Sequence, residues 1–309
     1  MDPGSGADLV AGVKEVKARL AVATVLGALL ACEASPSPPR VSGPAEEPGA
    51  TLAARIPPPP GFERIPLGKG SFGAWLRELP LRPGRSEVLL HDGRRKRNQN
   101  AHFAVVDLDV GEADLQQCAD AVIRLRAEYL FAGPCRDEIQ FDFTSGDPAR
   151  WKDWRAGQRP RVQGDRVSWH PTAPADASYA NFRRYLDSVF TYAGTVSLQR
   201  ELTPVEDPAD PEPGDVLIQG GFPGHAVIVV DVAQNRAEDR VFLLAQSFMP
   251  AQDIHVLKSF EEYDPWYRAK SGGILRTPEW EFRFEDLRRF RPTSCEREVR
   301  GEDGTGSRP

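Results

Sequence analysis

A cysteine, a histidine and a glutamine carry the chemistry that this sequence offers. Cys118 lies in Asp114-Leu-Gln-Gln-Cys118-Ala-Asp-Ala, which reads as the start of a helix. His225 opens an apolar run, Gly224-His225-Ala-Val-Ile-Val-Val, downstream of Pro213-Gly-Asp-Val-Leu-Ile. A thiolate attacks carbonyl carbon well, and a helix N-terminus or a neighbouring imidazole favours the thiolate. Cys118 is therefore the expected nucleophile of an amide hydrolysis, with His225 as general base and then acid. A hairpin centred near Arg236 and Ala237 sets Val227 opposite Gln246 and Phe248 opposite His225. Gln246 then shares a face with His225 and can orient its ring. A slip of one residue would hand that place to Ser247. Gln116 or Gln117, with Gln117 preferred, could donate to an oxyanion beside the Cys118 N–H.

Other chemistries find less support. The five histidines (His91, His102, His170, His225, His255) are scattered, and no His-Glu-x-x-His run joins them, so no metal is expected. Gly68-Lys69-Gly70-Ser71 lacks the spacing of a phosphate loop and reads as a turn, and no cofactor is expected. Thr195 or Ser197 beside His225 or His255 is a weaker nucleophile set, without an evident activating base. The net charge of −6 disfavours nucleic acid as a partner. Arg94-Arg95-Lys96-Arg97 is expected to be a solvated turn after Asp92-Gly93.

The elements that must position Cys118 and His225 follow from pattern. Asp114 is the expected N-cap of a helix from about Leu115 to Phe131, which places Cys118 one turn in, on the core side; Gly133-Pro134 stops it. Ser86–Leu90, His102–Val110 and Glu138–Phe143 read as strands. Thr144–Pro174, with Trp151, Trp154 and Trp169, reads as a long decorated loop whose tryptophans either form part of a cleft wall or plug the edge of the core. Ser178–Leu202 is helical with a break at Gly194. Strands are expected at Val216–Gln219, His225–Val232, Val241–Phe248, Ile254–Leu257 and Pro278–Phe284, and a short helix at Glu285–Phe290. Helices mixed with antiparallel hairpins argue an α+β fold.

The chain ends read differently. Lys14, Lys17 and Arg19 precede an apolar run from Leu20 to Ala31, too short to span a bilayer but suited to a signal peptide over residues 1–31. Leu29-Leu30-Ala31-Cys32 resembles a bacterial lipobox, which implies lipidation of Cys32 and a membrane anchor. Residues 32–60, rich in Pro, Ser, Ala and Gly, are expected to be a tether, residues 61–291 one domain, and residues 292–309 a frayed tail. Cys118 and Cys135 lie too far apart along one helix to pair, whereas Cys135–Cys295 is open, leaving Cys118 as a free thiol.

The Cys118 helix, Pro213-Gly-Asp-Val and Gly224-His225-Ala-Val-Ile resemble, in order, the NlpC-type and CHAP-type cell-wall peptidases of the papain-like superfamily. That resemblance implies a papain-like core, a helix packed on a mostly antiparallel sheet, with the Trp-containing segment as an insertion. The insert between Cys118 and His225 is longer than usual in those families. Leu115-Gln-Gln-Cys-Ala-Asp-Ala, Phe190-Thr-Tyr-Ala-Gly-Thr, Gly220-Gly-Phe-Pro-Gly-His-Ala-Val-Ile-Val-Val-Asp and Leu244-Ala-Gln-Ser-Phe-Met-Pro-Ala-Gln resemble a bacterial domain of unknown function, number forty-eight forty-six. The expected protein is a lipid-anchored thiol hydrolase on the periplasmic side of the envelope, acting on peptidoglycan stem peptides or other peptides. Glu33 after the lipidated residue points to the outer membrane. The competing expectation is a non-catalytic envelope lipoprotein that binds a peptide, glycan or partner protein.

Overall fold

A computed structural model describes residues 51–300, with side chains through Glu298. The expected signal segment, Cys32 and most of the expected tether lie outside the described residues. No helix among the described residues is long and apolar enough to cross a membrane.

Secondary structure reaches into the segment read as tether. Helix α1 (Leu52–Arg55) lies inside the segment read as tether, yet Leu52 and Ile56 are buried in the core. Strand β1 (Phe62–Arg64) and helix α2 (Phe72–Arg77) follow. Arg64 and Arg77 both grip the buried Asp231 carboxylate, each at 2.6 Å, and Arg64 also donates to the Ala53 and Ile56 carbonyls. Proline content hid this: the docking rests on two apolar side chains and a distant carboxylate.

Next come β2 (His102–Val105) and helix α3 (Cys118–Ala132). The strand expected at Ser86–Leu90 is absent; Leu89 and Leu90 make only single bridges, to Arg95 and Gln252. The helix starts three residues later than expected. Asp120 accepts the Gln117 N–H at 3.0 Å, so Gln117 is the N-cap and Cys118 the first helical residue. The expected Trp loop is structured: β3 (Gln140–Asp142), β4 (Pro148–Arg150), α4 (Trp151–Arg155) and the hairpin β5 (Gln158–Gln163)–β6 (Arg166–Pro171). Trp151 and Trp154 are buried and pack on Tyr185 of α5 (Tyr179–Tyr192). α6 (Thr195–Glu201) follows the break at Gly194.

The remaining strands are β7 (Thr203–Pro204), β8 (Val216–Gln219), β9 (His225–Asn235), β10 (Arg240–Gln246), β11 (His255–Leu257), β12 (Tyr267–Arg268), β13 (Ile274–Arg276), β14 (Glu281–Arg283) and β15 (Leu287–Arg289). The expected helix at Glu285–Phe290 is one 3-10 turn, Phe284–Asp286, followed by β15. Among the described residues, nine strands form one sheet in the order β2-β11-β10-β9-β8-β15-β7, with β1 joined to β9 and β12 to β10. The pairings are antiparallel, so the fold is mixed α/β on an antiparallel sheet. Alternation along β9 divides two cores. Ala226, Ile228 and Val230 pack with Ala119, Val122 and Ile123 of α3. Val227 and Val229 pack with Leu275 and Phe282 of the β13–β14 hairpin.

The C-terminal segment is a second correction. α7 (Ser294–Arg300) is fastened by a Cys135–Cys295 disulfide and by Glu138, whose carboxylate accepts the Ser294 and Cys295 N–H groups at 2.9 and 2.8 Å. Glu296 reaches the buried Arg126 at 2.7 Å. Composition over residues 292–309 signalled fraying; the cross-link and one buried ion pair hold residues 294–298, and residues 301–309 lie outside the described residues.

Candidate active site

The site is assembled at one end of the sheet. β8 stops at Gln219, a turn follows, and β9 starts at His225 directly opposite Gln219. Only glycine fits at 224, since a Cβ there would lie 2.4 Å from Thr195 Oγ1 and 2.6 Å from the Gly221 carbonyl. β10 ends at Gln246 beside this turn. The β9–β10 register is shifted by one residue at a bulge near Leu243–Leu244; beyond it Ala245 faces Ile228, the pairing expected from sequence. Gln246, not Ser247, therefore meets His225.

The start of α3 is tied to the loop after β10. Ser247 Oγ donates to the Gln116 carbonyl at 2.9 Å, and the Ala251 N–H donates to Asp114 Oδ1 at 2.6 Å. Asp114, expected to cap the helix, holds this loop instead. Arg124, fully buried on α3, pairs with Glu128 at 2.7 Å and donates to Gln116 Oε1 at 3.1 Å. These contacts fix the residues on which Cys118 stands.

Cys118 is 7% exposed and His225 1%. The backbone N–H groups of Ala119, Ala226 and Cys118 itself are near enough to favour the thiolate, and Ala226 adjoins His225. Burial pushes the thiol pKa up, the Asp120 carboxyl adds to the rise, and the N–H groups oppose it. The Asp120 carboxyl, buried in turn, is pushed up to about 8. His225 is pushed down to about 4 by burial; its bond to Gln246 opposes the shift and the Lys96 charge adds to it. Thiol and imidazole are thus both neutral near pH 7. Among the described residues no hydrogen bond joins them.

His225 Nε2 and Gln246 Oε1 are 2.8 Å apart. Phe248, Trp280 and Phe282 surround the ring at centroid distances of 4.9, 5.2 and 5.8 Å. The Gln246 amide nitrogen donates to Glu279 Oε2 at 2.7 Å and lies 3.4 Å from His255 Nε2. Because the nitrogen faces a carboxylate, the amide oxygen must face His225 and accept its Nε2–H. Nδ1 then carries the lone pair, and it makes no hydrogen bond among the described residues. That is the nitrogen that can take a proton.

Glu279 is also bound by Lys96, which lies 3.3 Å from His255 Nε2. Sequence reading missed both residues. Lys96 was expected in a solvated basic turn but is buried, while Arg94, Arg95 and Arg97 are exposed. The signal was position: Lys96 is the buried member of the run, and only the fold reveals the carboxylate that receives it. Glu279 lay in the strand expected at Pro278–Phe284, but β14 starts only at Glu281.

Gln117 donates to Asp114 Oδ1 at 3.2 Å, which occupies part of the amide chosen as oxyanion donor. The Gln116 amide nitrogen is buried without a partner. Separate from all of this, a cleft of about 1110 Å³ lies toward the far end of α3, lined by residues that include Phe72, Arg126, Tyr129, Asp215 and Arg289.

The model of the family described as Domain of unknown function (4846) matches residues 52–289. No curated protein matches the chain, and no solved structure does.

Proposed function

Because the chain belongs to that family, whose description carries no activity, we propose from the geometry that it is a thiol hydrolase acting on an amide bond. The observation that carries this reading is the His225–Gln246 bond under aromatic cover. It leaves Nδ1 as a base on the residue adjoining Ala226, whose N–H is near enough to favour the Cys118 thiolate. A thiol on the first residue of a helix, a histidine opening a strand and an amide on the next strand follow the papain-like, NlpC-type order, and we read the fold in that sense.

In the proposed reaction His225 Nδ1 takes the thiol proton as sulfur adds to the carbonyl carbon. The Cys118 N–H and the amide of Gln117 or Gln116 receive the oxyanion. The C–N bond breaks, and His225 returns the proton to the leaving amine. Water then cleaves the thioester with His225 again as base. Peptidoglycan stem peptides are the proposed substrate class. The Cys135–Cys295 disulfide suits an oxidising compartment, in keeping with export and with a lipid on Cys32 that anchors the protein at the periplasmic face of the outer membrane.

The test is alkylation and turnover in the full chain. Iodoacetamide should label Cys118, mapped by peptide mass spectrometry, and stem peptides should be hydrolysed. Cys118→Ala should lose both with an unchanged circular dichroism spectrum. Full hydrolysis by that variant would refute the mechanism. The neutral, buried thiol favours a second reading, a non-catalytic envelope lipoprotein that binds a peptide, glycan or partner protein. Absence of both labelling and turnover in the parent chain would select it.

A further inference from the structure

Orientation of Gln246 is not guaranteed by His225, because an amide can bond either tautomer of an imidazole. If the amide turned over, its oxygen would face Glu279 Oε2 across 2.7 Å, and its nitrogen would donate to His225 Nε2. The His225 proton would then sit on Nδ1, and the base would be gone. The Glu279 carboxylate on the nitrogen side prevents this, since two oxygens would then face each other at 2.7 Å. The lone pair of His255 Nε2, set by the Nδ1 bond to the Asp253 carbonyl at 2.8 Å, is met by Lys96 Nζ at 3.3 Å, and the amide nitrogen lies farther off at 3.4 Å. Lys96 binds Glu279 and keeps that carboxylate from being an uncompensated buried charge.

We infer that Lys96 and Glu279 are positioning residues that lock the Gln246 amide and thereby hold the His225 proton on Nε2. The inference rests on the reading of His225 as the base for Cys118. A carboxylate placed directly on the ring would also orient it, but would favour the imidazolium. Setting Gln246 between them transmits direction without placing a full charge on the ring. The ion pair sits one residue behind, and its two charges cancel.

The experiment is long-range ¹H–¹⁵N NMR on the full chain labelled at histidine, which reads the tautomer of each ring. The parent should show His225 as Nε2–H alone. Glu279→Ala leaves Lys96 buried without its counter-charge and could unfold the chain. The paired variant Lys96→Met/Glu279→Met removes both charges and is the decisive one. It should show a resolved Nδ1–H population at His225 and slow Cys118 alkylation about 10- to 100-fold, as loss of an orienting partner does elsewhere. Glu279→Gln keeps an acceptor for the Gln246 amide and should retain the Nε2–H form. His225 remaining wholly Nε2–H in the folded paired variant would overturn the inference, as would an Nδ1–H or charged ring in the parent. Failure of the parent Cys118 to alkylate would instead remove the base reading, while the tautomer measurement still decides the positioning role.

Discussion

Two buried ion pairs in this protein do different things. Arg126–Glu296 lies toward the far end of α3, with the guanidinium over Phe72, Tyr129 and Phe290 at 5.2, 5.5 and 5.2 Å from their ring centroids. Its carboxylate also receives the Thr293 N–H at 2.8 Å. The contacts close on themselves and clasp α7. Lys96–Glu279 lies at the other site, where its contacts run round through His255 but leave one branch open. From it a chain of donors runs through the Gln246 amide to the His225 ring and stops at a nitrogen with a free lone pair. A closed pair serves the fold; an open-ended one can deliver a proton acceptor. Both place opposite charges among apolar groups, so burial alone does not distinguish them.

Substitutions should separate the two regions. The largest effect is expected from His225→Ala, which removes the base and should slow Cys118 alkylation near neutral pH about 10²- to 10⁴-fold, the usual worth of general base catalysis. Thermal unfolding should show the chain still folded; an unchanged alkylation rate would break the contrast. Glu296→Ala leaves Arg126 buried and unpaired and should lower stability by about 3–5 kcal/mol in urea unfolding, while alkylation at Cys118 stays near the parent rate. Removal of the Cys135–Cys295 bridge by paired Cys→Ala substitution should cost about 2–5 kcal/mol in the same measurement, again without altering the thiol rate. Loss of labelling in either variant would mean that the two regions are coupled.

The smallest effect concerns pH. His225 has a folded pKa pushed down to about 4 from 6.5. Above 6.5 the ring is neutral in both states and contributes no pH dependence. Between 6.5 and about 4 the unfolded ring takes a proton that the folded ring refuses, so stability falls as the solution is acidified. Below about 4 the slope from this group ends. His225→Gln should flatten the slope in that window by about 1 kcal/mol per pH unit, read from urea midpoints at successive pH values. The fully buried His255 contributes a slope of the same sign and should remain in the variant.

Much of the architecture was legible because it rests on local pattern. The apolar run from His225 could only be a central strand, and Val241 onward could only return beside it. Gly224 before His225 was legible as a residue, but that the turn there admits no side chain came from the fold. The hairpin count placed Gln246 near His225, and it held beyond the bulge because the bulge takes up the one-residue shift before the site. Composition misled where a few contacts outweighed an average. Prolines at 57–60 suggested a tether, but Leu52, Ile56 and the Arg64–Asp231 pair dock that segment. Polar residues, Gly and Pro over 144–174 suggested a long loop, but Trp151 and Trp154 plug the core against Tyr185.

The sequence by itself determined the residue types for chemistry, a thiol near a helix start and an imidazole opening a strand. It also determined the antiparallel core, through periodicities that depend only on neighbours along the chain. Tertiary structure alone decided that Cys118 is the first residue of its helix, that its thiol and His225 rest neutral, and that Lys96 and Glu279 stand behind Gln246. Those outcomes depend on burial and on partners distant in sequence. Lys96 and Glu279 come from separate segments, and until the fold excludes water a lysine in a basic run is indistinguishable from its solvated neighbours.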